Sequence, residues 1–157
     1  MNFGDWLLWG FAATLVLTTL LAAAQSLHLT RMNLVFLLGT MFTPDRDRAK
    51  LIGFGFHLAN GWLFALVYLA SFHSLGFSGP LWGALVGAVH GAFVLWVGLP
   101  LLPSLHPRMA TEQAGPLPVR RLEPPGVLGL HYGKRTPWTV MAVHIVFGMI
   151  LGGFYHV

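Results

Sequence analysis

Apolar and polar positions alternate in long blocks along the chain. Four apolar stretches, 6–27, 51–72, 81–102 and 138–155, are separated by segments that carry nearly all the charge. Each stretch runs for about 18–22 residues, the length of helix that crosses roughly 30 Å of hydrocarbon. None contains Asp, Glu, Lys or Arg. The pattern predicts an all-α fold: a four-helix transmembrane bundle forming one integral membrane domain over 1–157. The intervening segments 28–50 and 103–137 fall on one face. "LAAAQS" near the end of the first stretch resembles a signal-peptidase site. The N-terminus, however, has Asp5 and no basic residue, so the first helix is expected to be retained.

The apolar pattern also repeats. "HLANGWLFALVY", from His57 to Tyr68, returns as "HIVFGMILGGFY", from His144 to Tyr155. His57, Gly61, Ala65 and Tyr68 match His144, Gly148, Gly152 and Tyr155. "LWG" at Leu8 recurs at Leu81, "SLHLTRM" at Ser26 recurs as "SLHPRM" at Ser104, and "LLGTMF" at Leu37 resembles "VLGLHY" at Val127. Matches in one order imply a tandem duplicated two-helix unit. Two helices return the chain to its starting side, so the copies share an orientation. Parallel repeats about a pseudo-twofold axis along the membrane normal are expected.

In lipid, small residues spaced by four let helix backbones approach. Gly83, Gly87 and Gly91 form such a stripe in the third helix. Gly148 and Gly152 form one in the fourth, in register with His144; Gly61 and Ala65 do so in the second, in register with His57. These are expected packing positions. Trp6, Trp9, Trp82 and Trp138 fit interfacial anchoring; Trp62 and Trp96 lie deeper and read as packing residues. The segment "MNLVFLLGTMF" is too short to span, and is expected to lie in the interface or fold back into the bundle mouth. "TEQAGPLPVRRLEPPG" reads as an extended, solvent-facing loop.

Composition agrees with a membrane protein: 55% of residues are apolar and 9% charged. The net charge of +4 comes from placement more than partner. Arg31, Arg46, Arg48, Lys50, Arg108, Arg120, Arg121, Lys134 and Arg135 all fall in the two segments on one face. Positive segments stay cytoplasmic, so both termini are expected outside and the basic residues beside anionic headgroups. A nucleic-acid partner is not expected.

Cysteine is absent, which removes disulfides, thiolate catalysis and cysteine-held metals. Histidine is left as the candidate ligand. His57, His90 and His144 lie within spans; His28 and His106, a repeat-related pair, lie at helix ends. Placed at equal depth on stripes facing the axis, His57 and His144 would oppose each other. Opposed histidines on a bundle's helices can hold haem b, or a copper or zinc ion with His90 as a third ligand. A hydrogen bond to a backbone carbonyl, Thr or Asn60 is the reading preferred over ligation, and a proton or substrate path is a third. No carboxylate lies in any span and no nucleophile–base set is evident, so no enzymatic activity is expected.

The four spans, the third helix "GALVGAVHGAFV", the segment "LLGTMF" and the fourth-helix pattern of His, Gly, small residue and Tyr resemble an uncharacterised family of small bacterial inner-membrane proteins, known as a domain of unknown function. The resemblance implies a bacterial cytoplasmic-membrane protein and carries no activity or cofactor. The function expected is that of a non-enzymatic accessory or assembly subunit of a larger membrane complex, with partners in the bilayer. A haem b or metal electron-transfer bundle is the alternative, and a small transporter with its site at the repeat interface the third.

Overall fold

A computed structural model describes residues 3–111 and 117–155. Within them the chain forms six α-helices: α1 (Phe3–Ser26), α2 (Leu34–Thr40), α3 (Arg46–Leu75), α4 (Pro80–Phe93), α5 (Leu99–Leu105) and α6 (Thr136–Phe154). A π-helical turn, Val94–Gly98, joins α4 to α5, and a 3-10 helix, Val127–Tyr132, precedes α6. Four helices are long and apolar enough to cross a membrane: Phe3–Ser26, Arg46–Leu75, Pro80–Leu105 and Thr136–Phe154. The all-α bundle expected from the apolar pattern is present.

The second span is longer than the apolar stretch that signalled it. Asp45 caps it, its carboxylate accepting from Arg48 N–H at 2.8 Å, so the charged turn "RDRAK" is already helical. Gly76, at φ 73°, ends it in the left-handed conformation that glycine adopts without strain. The third span is continuous but not uniformly α. Pro100 and Pro103 have no N–H to donate, and the π turn just before them absorbs the mismatch.

The small-residue stripes are used inside the chain. α4 and α6 meet backbone to backbone: a Cβ on Gly83 would overlap the Gly148 carbonyl, one on Gly148 the Gly83 carbonyl, and one on Gly87 the His144 carbonyl. α1 and α3 cross at the same register. Gly10, Thr14 and Thr18 meet Ala65, Gly61 and His57; Gly83, Gly87 and Gly91 meet Gly152, Gly148 and His144. The two crossings differ in tightness, because Thr14 and Thr18 have side chains where Gly87 and Gly91 have none. Near the N-terminus of α1, Trp6 Nε1 donates to Trp62 O at 3.0 Å and Trp62 Nε1 donates to Leu7 O at 2.9 Å. Trp9 stacks on Phe154 at 4.2 Å, tying α1 to α6. Trp62 therefore packs as expected. Trp96 does not: it is 66% exposed.

The segment that was too short to span folds back as α2. Its Gly39 fits against the Ala49 carbonyl, and Gly53 of α3 fits against Val35 O. The 117–126 segment departs from a free loop. Leu122 pairs with Met109 in an isolated parallel bridge, Ala110 N–H donates to Leu122 O at 3.0 Å, and Pro125 is fully buried. Residues 112–116 of the expected loop lie outside the described residues. Tyr132 Oη donates to Glu123 O at 2.6 Å. Burial, with the Glu123 carboxylate as a smaller cause, pushes the Tyr132 phenol up to about 12.

The basic residues do not act alike. Arg108, expected beside headgroups, turns inward: its guanidinium donates to Thr40 O at 2.6 Å, capping α2's C-terminal carbonyls. Beside it, His106 is 1% exposed. Its Nε2 lies 3.0 Å from Leu37 O, and its Nδ1 accepts from Arg108 N–H at 3.1 Å. Its sequence counterpart His28 is exposed and ends α1 at φ 57°. Arg31 pairs with Glu123 at 3.4 Å and with the His131 carbonyl; Lys50 pairs with Asp47 at 3.2 Å. Arg46 lies over the Phe36 ring. Arg48, Arg121, Lys134 and Arg135 are exposed, and Arg120 is half-buried.

Burial holds the His106 imidazole below its ordinary value of about 6.5, and the Arg108 charge adds to the effect, opposed by the Leu37 carbonyl. As pH falls below about 6.5, the unfolded chain takes up a proton that the folded chain resists, so this group's contribution to stability is lost on the acid side. His106→Gln keeps a donor and an acceptor but cannot titrate. Thermal unfolding in detergent from pH 8 to pH 5 is expected to fall more steeply for the wild type than for this variant.

Candidate functional site

The three intramembrane histidines line one cavity of about 200 Å³ inside the bundle. Its wall also includes Thr14, Asn60, Phe64 and Phe147, the π-turn residues Val94 and Gly98, and Leu34 and Leu38 of α2. His57 is eleven residues into α3, His90 ten into α4 and His144 eight into α6. At about 1.5 Å per residue, each sits roughly 12–16 Å along its helix, so all three meet near mid-span.

Each ring is anchored through Nδ1. His144 Nδ1 lies 2.7 Å from Val140 O. A carbonyl only accepts, so this nitrogen carries the proton and Nε2 has a lone pair. His57 Nδ1 lies 3.0 Å from Thr18 Oγ1, whose proton is given to Thr14 O at 2.7 Å. With that proton on Thr14 O, Thr18 is the acceptor and His57 Nε2 has a lone pair; with the proton turned to His57, the ring carries its N–H at Nε2 instead. His90 Nδ1 lies 3.1 Å from Tyr68 Oη. Either atom can donate there, so turning the phenol proton exchanges a lone pair for an N–H at His90 Nε2.

Ring contacts hold the set in place. His90 stacks on Phe64 at 4.0 Å and meets His144 edge to face at 4.6 Å. Tyr68 packs edge to face on Phe147 at 5.3 Å. The close pair is thus His90 with His144, rather than the His57–His144 pair expected across an axis.

This geometry does not fit haem b. Bis-histidine ligation needs a macrocycle between opposed imidazoles, but the His90 and His144 rings touch. The cavity is also smaller than the roughly 300 Å³ at which ligand pockets begin. A preset three-ligand metal shell is likewise absent: among the described residues, no three His, Asp or Glu side chains stand at metal-ligand spacing.

A second hollow of about 210 Å³ adjoins the cavity. It shares His57 and Leu34 with it and is lined by Thr18, Gln25, Asn33 and Lys50. On the opposite side, an apolar groove between α3 and α4 shares Phe64 and His90. His73, which no sequence motif singles out, has its Nε2 2.8 Å from Tyr155 Oη. The paired tyrosines of the repeated motif therefore both hydrogen-bond a histidine, Tyr68 to His90 and Tyr155 to His73. The π turn was also missed, although Gly98, Pro100 and Pro103 were its sequence signal.

Four apolar spans define a multi-pass membrane protein. Comparison with protein-family models, with curated proteins and with solved structures returns no match.

Proposed function

We propose that this chain is a non-enzymatic membrane protein that holds a small ligand in the histidine-lined cavity at mid-span. One observation carries the proposal: Nδ1 of each of His57, His90 and His144 is engaged outside the cavity, which leaves Nε2 as the atom each ring offers to it. Anchoring one ring nitrogen so that the other serves a ligand is how binding histidines are held. Intramembrane ionisable groups mark functional sites by default.

The distribution of charge supports a bacterial cytoplasmic membrane with α2 and the basic segments inside and both termini outside. The shared register of the α1–α3 and α4–α6 crossings supports two copies of one two-helix unit in the same orientation. A subunit role in a larger complex is the second reading. It draws less support, because the glycine stripes that suggested it are used within the chain.

Purification in mild detergent, with elemental analysis and mass spectrometry of an organic extract, tests the proposal. A metal or small molecule near one per chain is expected, lost from a folded His57→Phe/His144→Phe double variant. A scan from 350 to 600 nm should show no Soret band. If nothing is held by the wild type and lost from the variant, the proposal fails.

A further inference from the structure

We infer that the ligand of this cavity is a soft monovalent metal cation, copper(I), held by neutral imidazole nitrogens; the inference rests on the cavity being a binding site.

The tautomers set the sign of the ligand. His144 presents a lone pair at Nε2, fixed by the Val140 carbonyl, and His57 presents a second while the Thr18 hydroxyl donates to Thr14 O. Two inward lone pairs attract a cation or a hydrogen-bond donor, and repel an anion or a carbonyl group. His90 can join them, since reversal of its bond to Tyr68 frees a third lone pair. A carbonyl-bearing ring entering from the α3–α4 groove would need an N–H that His144 does not offer.

The absence of charge sets the magnitude. Among the described residues, no Asp, Glu, Lys or Arg lines the cavity. A bound cation therefore keeps its full charge in a low-dielectric interior, and the cost of that rises with the square of the charge. A monovalent ion is favoured over a divalent one for this reason. Imidazole suits zinc, copper, iron and nickel, whereas hard ions prefer oxygen. Of those four, copper is the one with a stable monovalent state. Copper(I) also accepts two ligands, which suits a site whose three histidines are not set at the spacing of a three-ligand shell.

The test uses the full chain in lipid nanodiscs. Silver(I), a redox-inert soft monovalent ion, and copper(I) under anaerobic reductant are titrated against a competing chelator, alongside zinc(II). One silver or copper ion per chain is expected, with zinc at least about tenfold weaker. Thr18→Val removes the hydroxyl that holds His57 Nδ1, and is expected to weaken silver binding by roughly 10–100-fold. X-ray absorption of the copper(I)-loaded wild type should show two or three nitrogen neighbours and no sulfur.

Zinc bound as tightly as silver would overturn the monovalent assignment and leave the cavity as a site. A sulfur neighbour would move the ion to a methionine and overturn the site's ligands. No silver or copper binding, with an organic ligand recovered on purification, would overturn the cation class alone. No binding of any kind would remove both proposals.

Discussion

Gly148→Leu is expected to abolish the native fold. Gly148 faces the Gly83 carbonyl and the Gly87 Cα, so a Cβ has no room and the two backbones must separate. Overpacking a well-filled core costs about 1–3 kcal/mol even where side chains can shift. Here the obstacle is backbone on both helices, and the loss should exceed about 3 kcal/mol. The effect should spread, because α6 also carries His144 and packs against α1. Gly55→Leu supplies the contrast: it lies on α3 with nothing within 4 Å of the added Cβ, and should change stability by less than about 0.5 kcal/mol. Unfolding in mixed micelles, followed by circular dichroism, separates the two. A Gly148→Leu protein that unfolds like the wild type would mean that α4 and α6 do not cross at these glycines.

The contrast shows what was legible in the chain and what was not. Span lengths follow from hydrocarbon thickness, so four apolar stretches were enough to place four helices. Spacing by four identified the packing stripes, because a helix puts those positions on one side. Spacing does not say which neighbour a stripe meets. Gly83 could have faced lipid, α3 or α6, and only the assembled bundle puts it against Gly148. The same limit applies to the histidines. The repeated motif singled out His57 and His144, and the structure places both on one cavity. Yet ring contact falls to His90 and His144, since the direction of a side chain depends on helix rotation, which a one-dimensional pattern does not contain. Asn60, unexplained as a motif position, becomes intelligible as part of the cavity wall, one turn from His57. Arg108 reads as one more cytoplasmic cation until α2 folds back and presents its carbonyls.

His106→Ala is expected to cost about 2–4 kcal/mol, more than any surface substitution at this end of the bundle. The imidazole fills a fully buried position between α5 and α2, and bridges them with an N–H to Leu37 O and an acceptor for Arg108 N–H. Truncation leaves a hole and a backbone N–H that has lost its acceptor. Leu37 O keeps a second partner in Thr40 Oγ1, at 2.8 Å, so the larger part of the loss falls on the α5 side. His106 and Arg108 hold the same end of α2, Arg108 through Thr40 O. Their effects should therefore be non-additive: His106→Ala in an Arg108→Ala background is expected to cost at least about 0.5 kcal/mol less than in the wild type. Unfolding free energies of the four proteins of this cycle measure the coupling. Additive losses would mean that the two side chains anchor α2 independently. A coupled loss would make α2, whose Leu34 and Leu38 form part of the cavity wall, depend on a single junction outside the spans.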